Sequence, residues 1–91
     1  MNIEFSDLYS FSVNKNEITT DSQLELISQL INAIYFNVNM DVTVSPIEIK
    51  DILENPPLQF VVLDKNTGMN QLIISTNDSH LLIQFGIENK Y

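Results

Sequence analysis

The sequence predicts an α+β domain in which a largely antiparallel sheet is covered by helices on one face, in the order β-α-α-β-β-β. Three observations lead to this prediction. Apolar and polar residues alternate near the N-terminus, two central segments have helical periodicity with capping residues, and the C-terminal third holds β-rich segments separated by turn residues. With 91 residues, the chain is short enough to form one domain, residues 1–91.

The first predicted element, Ile3 to Val13, has the period-two pattern of a half-buried strand. Aromatic and branched residues occupy one side, and serines occupy most of the other. Asp7 interrupts the apolar side and Leu8 the polar side, which predicts a bulged or broken strand. The polar residues 14–17, NKNE, then make a turn.

The first predicted helix begins near Thr20 or Ser22 and ends near Asn37. The sequence allows either start, because two capping boxes overlap there, one from Thr20 to Gln23 and one from Ser22 to Glu25. Its apolar arc spans about 200° on a helical wheel, twice the ~100° stripe that packing on one sheet requires. The remainder must be covered by the second helix or by a second copy of the chain.

The second predicted helix, in the segment SPIEIKDILENPP, has clearer end signals. Ser45 is a suitable cap, Pro46 suits the first helical position, and Glu48 completes a capping box. Two consecutive prolines end the helix, because the residue before a proline avoids helical backbone angles. Its buried stripe is predicted to consist of Ile49, Ile52 and Leu53.

The C-terminal third is predicted to form a three-stranded meander. The segment LQFVVL is apolar on both faces, which predicts an interior strand. The segment DKNTG predicts a hairpin loop in which Gly68 adopts a positive φ. The segments QLIIST and HLLIQFGI supply two further strands, joined by NDS.

The charge balance excludes several classes of partner. The sequence contains twelve acidic residues, four lysines and no arginine, and its formal net charge is −8. Nucleic-acid binding is driven by cations that replace condensed counterions, so direct binding to DNA or RNA and attachment to anionic membranes are not expected. The electrostatic field of these negative charges favours a basic protein partner. The alternative is that the acidity only maintains solubility.

The expected location is cytoplasmic. The N-terminus lacks the basic and apolar regions of a secretory signal, and the longest apolar runs have four residues, whereas a membrane span needs about 20. A small domain without cysteine fits a reducing compartment.

The sequence contains no constellation that indicates catalysis, a metal or a cofactor. His80 is the single histidine and there is no cysteine, so His80 is expected to be a solvated residue at a strand end. The serines have no base other than His80, and the two glycines, Gly68 and Gly86, cannot form a phosphate-binding loop. We therefore expect a protein that is not an enzyme and that uses no cofactor.

Phe36 is the one residue of the first helix that contradicts its pattern, because it falls in the polar stripe. If the helix ends at Tyr35, Phe36 is able to turn back into the core. If the helix continues, Phe36 is an exposed anchor ringed by polar groups, a usual arrangement at binding hot spots.

The leading hypothesis is an acidic inhibitor that occludes the nucleic-acid site of a basic partner, such as a nuclease or a DNA-binding protein. An immunity protein or a phage-encoded anti-defence inhibitor would act in this way. The alternative is a small homodimeric chaperone or assembly subunit, since excess helix hydrophobicity can be buried across a two-fold interface. The candidate partner-binding residues are Asp21, Glu25, Gln29, Asn32 and Phe36 on the first helix and Glu48, Asp51 and Glu54 on the second.

Overall fold

The computed structural model describes residues 1–7, 10–37 and 43–86, and it confirms the α+β prediction. Within these ranges the chain forms five strands and two α-helices, and a short 3-10 helix occupies the predicted turn after the second strand. The elements are β1 (Ile3–Asp7), β2 (Ser10–Asn14), α1 (Asp21–Asn37), α2 (Pro46–Glu54), β3 (Phe60–Leu63), β4 (Asn70–Thr76) and β5 (His80–Phe85).

The N-terminal segment is a hairpin of two strands. β1 pairs antiparallel with β2, so that Ile3 lies opposite Val13 and Phe5 lies opposite Phe11. The predicted strand is broken into two strands, and the second half pairs with the first. The register between them also shifts between Phe5 and Asp7, so both predicted possibilities, a bulge and a break, find support. The other edge of β2 pairs with β5, so the hairpin adds two strands to the sheet where the sequence pattern predicted one.

The sheet has the order β1-β2-β5-β4-β3, and all neighbouring strands are antiparallel. β3 therefore lies at an edge, and the prediction that it is an interior strand is wrong. The outward side chains of β3 remain accessible to solvent, with Val61 46% and Leu63 55% exposed. Apolar residues on both faces of this strand reflect an uncovered apolar surface and not two covered faces.

The hydrophobic core lies on one face of the sheet, between the sheet and both helices. Along β4 and β5, alternate side chains such as Leu72, Ile74 and Ile83 point to this face and are fully buried. Fully burying such a side chain contributes about 1.5–3 kcal/mol, so this layer is a major source of stability. The buried apolar residues are Phe11, Val13, Leu24, Ile27, Ile31, Val44, Ile49, Ile52, Leu72, Ile74, Leu81, Ile83 and Phe85.

Both helices begin at reciprocal capping boxes. At α1 the backbone N–H of Gln23 donates to the Thr20 hydroxyl, and the Gln23 side chain accepts from the Thr20 N–H, so the Thr20 alternative is confirmed. At α2 the predicted pairing of Ser45 with Glu48 is present in both directions. α2 ends at Glu54, ahead of a cis peptide bond between the two prolines.

The wide apolar arc of α1 is covered only in part. Leu24, Ile27 and Ile31 are buried against the sheet and α2. Leu26 is 51% exposed and Ala33 is also exposed, so the flank of α1 away from α2 keeps an apolar surface.

Candidate functional site

A shallow groove opens between the first turns of α1 and the exposed side of α2. It consists of two adjoining depressions of about 280 and 400 Å³, which share Asp21, Leu24 and Lys50. Leu24 is buried at the base of the groove, and Leu53 of α2 is half-buried beside it. The two helices therefore form a concave surface with an apolar base, which the sequence alone did not place.

Three of the predicted partner-binding carboxylates line this groove. Asp21 and Glu25 lie on the α1 side, and Glu54 lies on the α2 side. All three side chains are exposed, so their charges act on an approaching partner through solvent. Among the residues that line the two depressions, Lys50 is the one cation, so the groove has an excess of negative charge.

Ile47 is the most exposed large apolar residue in the described part of the chain, at 72%, and it lies on the rim of the groove. Sequence reasoning missed it. The signal was present, because the helical wheel of α2 places Ile47 on the side opposite Ile49 and Ile52. An exposed branched side chain beside carboxylates is a suitable anchor for a partner that buries it.

The acidic stripe predicted on α2 is divided between two flanks of the helix. Glu54 faces α1, whereas Glu48 and Asp51 line a separate depression with Leu58 and Phe60, next to β3. Glu48 also accepts a hydrogen bond of 3.1 Å from the backbone N–H of Ser45, as its capping role requires. Glu54 therefore lines the groove, whereas Glu48 and Asp51 line the second depression.

Asn32 uses its side chain within the fold. Its amide oxygen accepts from the Val44 N–H at 2.9 Å, and its amide nitrogen donates to the Val44 carbonyl at 3.2 Å. The buried Ser28 hydroxyl, one turn earlier on α1, donates to the same carbonyl. These bonds hold the segment that enters α2 against α1 and thus set the two walls of the groove.

Replacing Asn32 with alanine is expected to reduce the free energy of unfolding by about 1–2 kcal/mol, because the buried Val44 N–H then loses its hydrogen-bond partner, while the Val44 carbonyl keeps only the Ser28 hydroxyl. Chemical denaturation of the variant and the parent protein measures this difference. Gln29→Ala is the matched control, because Gln29 is exposed on the same helix and its loss should change stability by less than about 0.5 kcal/mol. Equal effects of the two substitutions would contradict the structural role of Asn32.

Phe36 lies within α1, because the helix continues to Asn37. The condition under which Phe36 would turn back into the core, a helix that ends at Tyr35, is therefore not fulfilled. The side chain of Phe36 lies outside the described part of the structure, and the prediction that it anchors a partner stays a prediction.

His80 forms a close pair with its neighbour in the β4–β5 turn. The Ser79 hydroxyl lies 2.6 Å from His80 Nδ1 and 3.4 Å from the side-chain oxygen of Asn77. That oxygen also accepts from the backbone N–H groups of Ser79 and His80. Asn77 thus organises both residues as a hydrogen-bonded turn, and Ser79 is exposed to solvent.

In the residue ranges that the structure describes, histidine and carboxylate side chains are nowhere grouped in threes in a way that would hold a metal ion. Neither described helix is long and apolar enough to cross a membrane.

Comparison with known proteins gives no family for the chain: no protein-family model, no curated protein and no solved structure matches it.

Proposed function

We propose that this protein is a non-enzymatic, cytoplasmic binding protein that docks its acidic groove on a cationic surface of a partner protein and thereby inhibits that partner. The observation that supports the proposal is the meeting of Asp21, Glu25 and Glu54 around an apolar groove. Carboxylates from two different helices border the groove, and Ile47 beside them adds an apolar anchor.

Charge is concentrated on the helical layer. α1 and α2 carry five of the twelve acidic residues and one of the four lysines, which is half of the net charge of −8. A field of one sign accelerates association with a surface of the opposite sign and suppresses association with other acidic proteins. The helical face is therefore the side on which a basic partner is expected to dock.

The partner class follows from where proteins display dense positive charge. Lysine and arginine arrays are typical of surfaces that bind phosphate backbones, as in nucleases and DNA-binding proteins. Carboxylates in the groove would occupy positions that phosphates otherwise take, and the body of the domain would exclude the nucleic acid. An immunity protein or a phage-encoded inhibitor of a defence complex would work by this mechanism.

The double variant Glu25→Lys with Glu54→Lys is expected to bind a nuclease or DNA-binding protein that the parent protein recognises about tenfold or more weakly. The activity of that partner should be inhibited less by the variant than by the parent. Surface plasmon resonance against a panel of such proteins, repeated at increasing salt, measures affinity. A nuclease assay with the same proteins measures inhibition. The affinity of the parent protein should fall as salt rises, since salt screens exposed charges.

The matched control is Glu4→Lys with Asp78→Lys, which changes the net charge equally at two exposed positions outside the groove. It should reduce affinity much less than the groove variant does. Equal losses would show that only total charge matters, and binding that ignores salt or survives the groove variant unchanged would contradict the proposal.

One observation favours the alternative of a homodimeric chaperone or assembly subunit. Leu26 and Ala33 leave part of the apolar arc of α1 exposed, on the flank away from the groove. A two-fold contact between copies would bury that flank. Sedimentation velocity separates the two candidates, because a stable dimer with α1 protected supports the alternative and a monomer contradicts it.

A further inference from the structure

β3 presents an unpaired strand edge. Its four residues pair with β4 on one side, and no strand in the described ranges pairs with it on the other. With respect to the described residues, the backbone N–H and carbonyl groups on that side are available to a strand from another chain, which is the geometry of β-strand addition.

The two edges of the sheet differ in their protection. β1, at the far edge, contains Glu4 and Asp7, and the Phe5 ring packs on the Phe11 ring with centroids 5.5 Å apart. β3 has the sequence FVVL and contains no charged residue, although charge on an edge strand is the usual defence against unwanted pairing. In a chain with twelve acidic residues, a neutral strand at an open edge needs an explanation.

Exposed apolar side chains are concentrated around this edge. Among the residues that the structure describes, four of the eight exposed large apolar ones belong to β3 or to its flanking segments. We call them the β3 patch, and they are Leu58, Val61, Leu63 and Met69. Val61 lies opposite Ile73 on the sheet face away from the helices, so the patch continues onto β4.

Acidic residues border the β3 patch on its helical side. Glu48 and Asp51 of α2 line a depression together with Leu58, Gln59 and Phe60, at the start of β3. Asp51 is exposed, and Glu48 is half-buried. A strand added beside β3 would thus meet carboxylates on its helix-facing side and apolar groups on its other side.

We propose that β3 accepts an extended segment of a partner protein as a sixth strand, with lysine or arginine toward Glu48 and Asp51 and apolar residues toward Val61 and Leu63. The alternation follows from strand geometry, because successive side chains point to opposite faces. This site lies on the other flank of α2 from the groove and does not depend on the proposed function.

Charge decides between a partner segment and a second copy of this chain. A second copy carries the same net charge of −8, and its own acidic residues would approach those beside β3. A ladder limited to four residues supplies few hydrogen bonds to offset that repulsion. A cationic segment gains from the same carboxylates, so it is the occupant we assign.

The test uses an eight-residue peptide of alternating valine and lysine, titrated into the ¹⁵N-labelled protein. Chemical-shift changes should concentrate at Phe60 to Leu63 and at Asp51. Val61→Lys should weaken binding by about tenfold or more, whereas Leu26→Lys, an equal change of charge at an exposed apolar residue of α1 outside the groove, should alter it by less than about twofold. Should Val61→Lys fail to fold, Asp51→Lys provides the same test from an exposed helix position.

Two control peptides isolate the two parts of the proposal. Glutamate in place of lysine should abolish binding, and methylation of alternate backbone nitrogens should abolish it because ladder hydrogen bonds are lost. Undiminished binding of the methylated peptide, or shifts confined to the groove, would overturn the proposal. Protected β3 amides in a dimer of the free protein would also overturn it, in favour of a second copy.

Discussion

Replacing Gly86 with alanine is expected to reduce the free energy of unfolding by about 3 kcal/mol. A Cβ atom at this position would lie 1.8 Å from the carbonyl oxygen of Asn70 and 2.9 Å from its carbonyl carbon. Both atoms belong to the backbone, and the Gly86 N–H donates to the Gln71 carbonyl at 2.9 Å. The clash can therefore be relieved only by moving β4 away from the end of β5, which breaks this hydrogen bond.

Gly68→Ala is the matched control for this prediction. Gly68 has a φ of 70°, but no atom lies within 4 Å of the Cβ position, so only the left-handed backbone opposes alanine. That strain costs about 1 kcal/mol. Urea denaturation of both variants measures the difference, and a Gly86→Ala protein as stable as Gly68→Ala would contradict the close approach of the two chains.

Local signals were sufficient to predict most of the elements. The capping box at Ser45 and the prolines after α2 define that helix through contacts within a few residues of chain, and Gly68 defines the hairpin loop in the same way. Sheet order depends instead on pairing between distant segments, such as β2 with β5. No local pattern reports such pairing, which is why β3 was predicted as an interior strand and the N-terminal hairpin as one element.

The candidate site was predictable in composition but not in arrangement. The helical wheel correctly places Asp21, Glu25 and Glu54 on exposed faces, yet it contains no information about the rotation of α1 relative to α2. That rotation brings Glu54 toward α1 and leaves Asp51 beside β3. The same arrangement explains why Asn32 was predicted as a partner-binding residue although it has a structural role. Its polar side chain fits the stripe on the helical wheel, but in the fold it bonds to the backbone of Val44.

Ile27→Ala is expected to reduce the free energy of unfolding by about 2–5 kcal/mol, because it leaves a cavity beneath α1. Ile27 is fully buried within the core cluster, where branched side chains of the helices and the sheet meet. A domain of this size has a total stability of about 5–15 kcal/mol, so the loss would be a large share of the whole. Thermal and urea denaturation at two protein concentrations measure it.

Leu26→Ala is the control from the adjacent position. Leu26 is half-exposed, and alanine favours helix, so the substitution should change stability by less than about 0.5 kcal/mol. The same variant tests the self-association that the uncovered flank of α1 suggests. In a dimer that buries Leu26 the substitution would lower stability, and the loss relative to the parent protein would be larger at high protein concentration, where the parent is dimeric. A small effect on stability at both concentrations would contradict a dimer that buries Leu26. It would favour the groove, on the opposite flank of α1, as the docking surface.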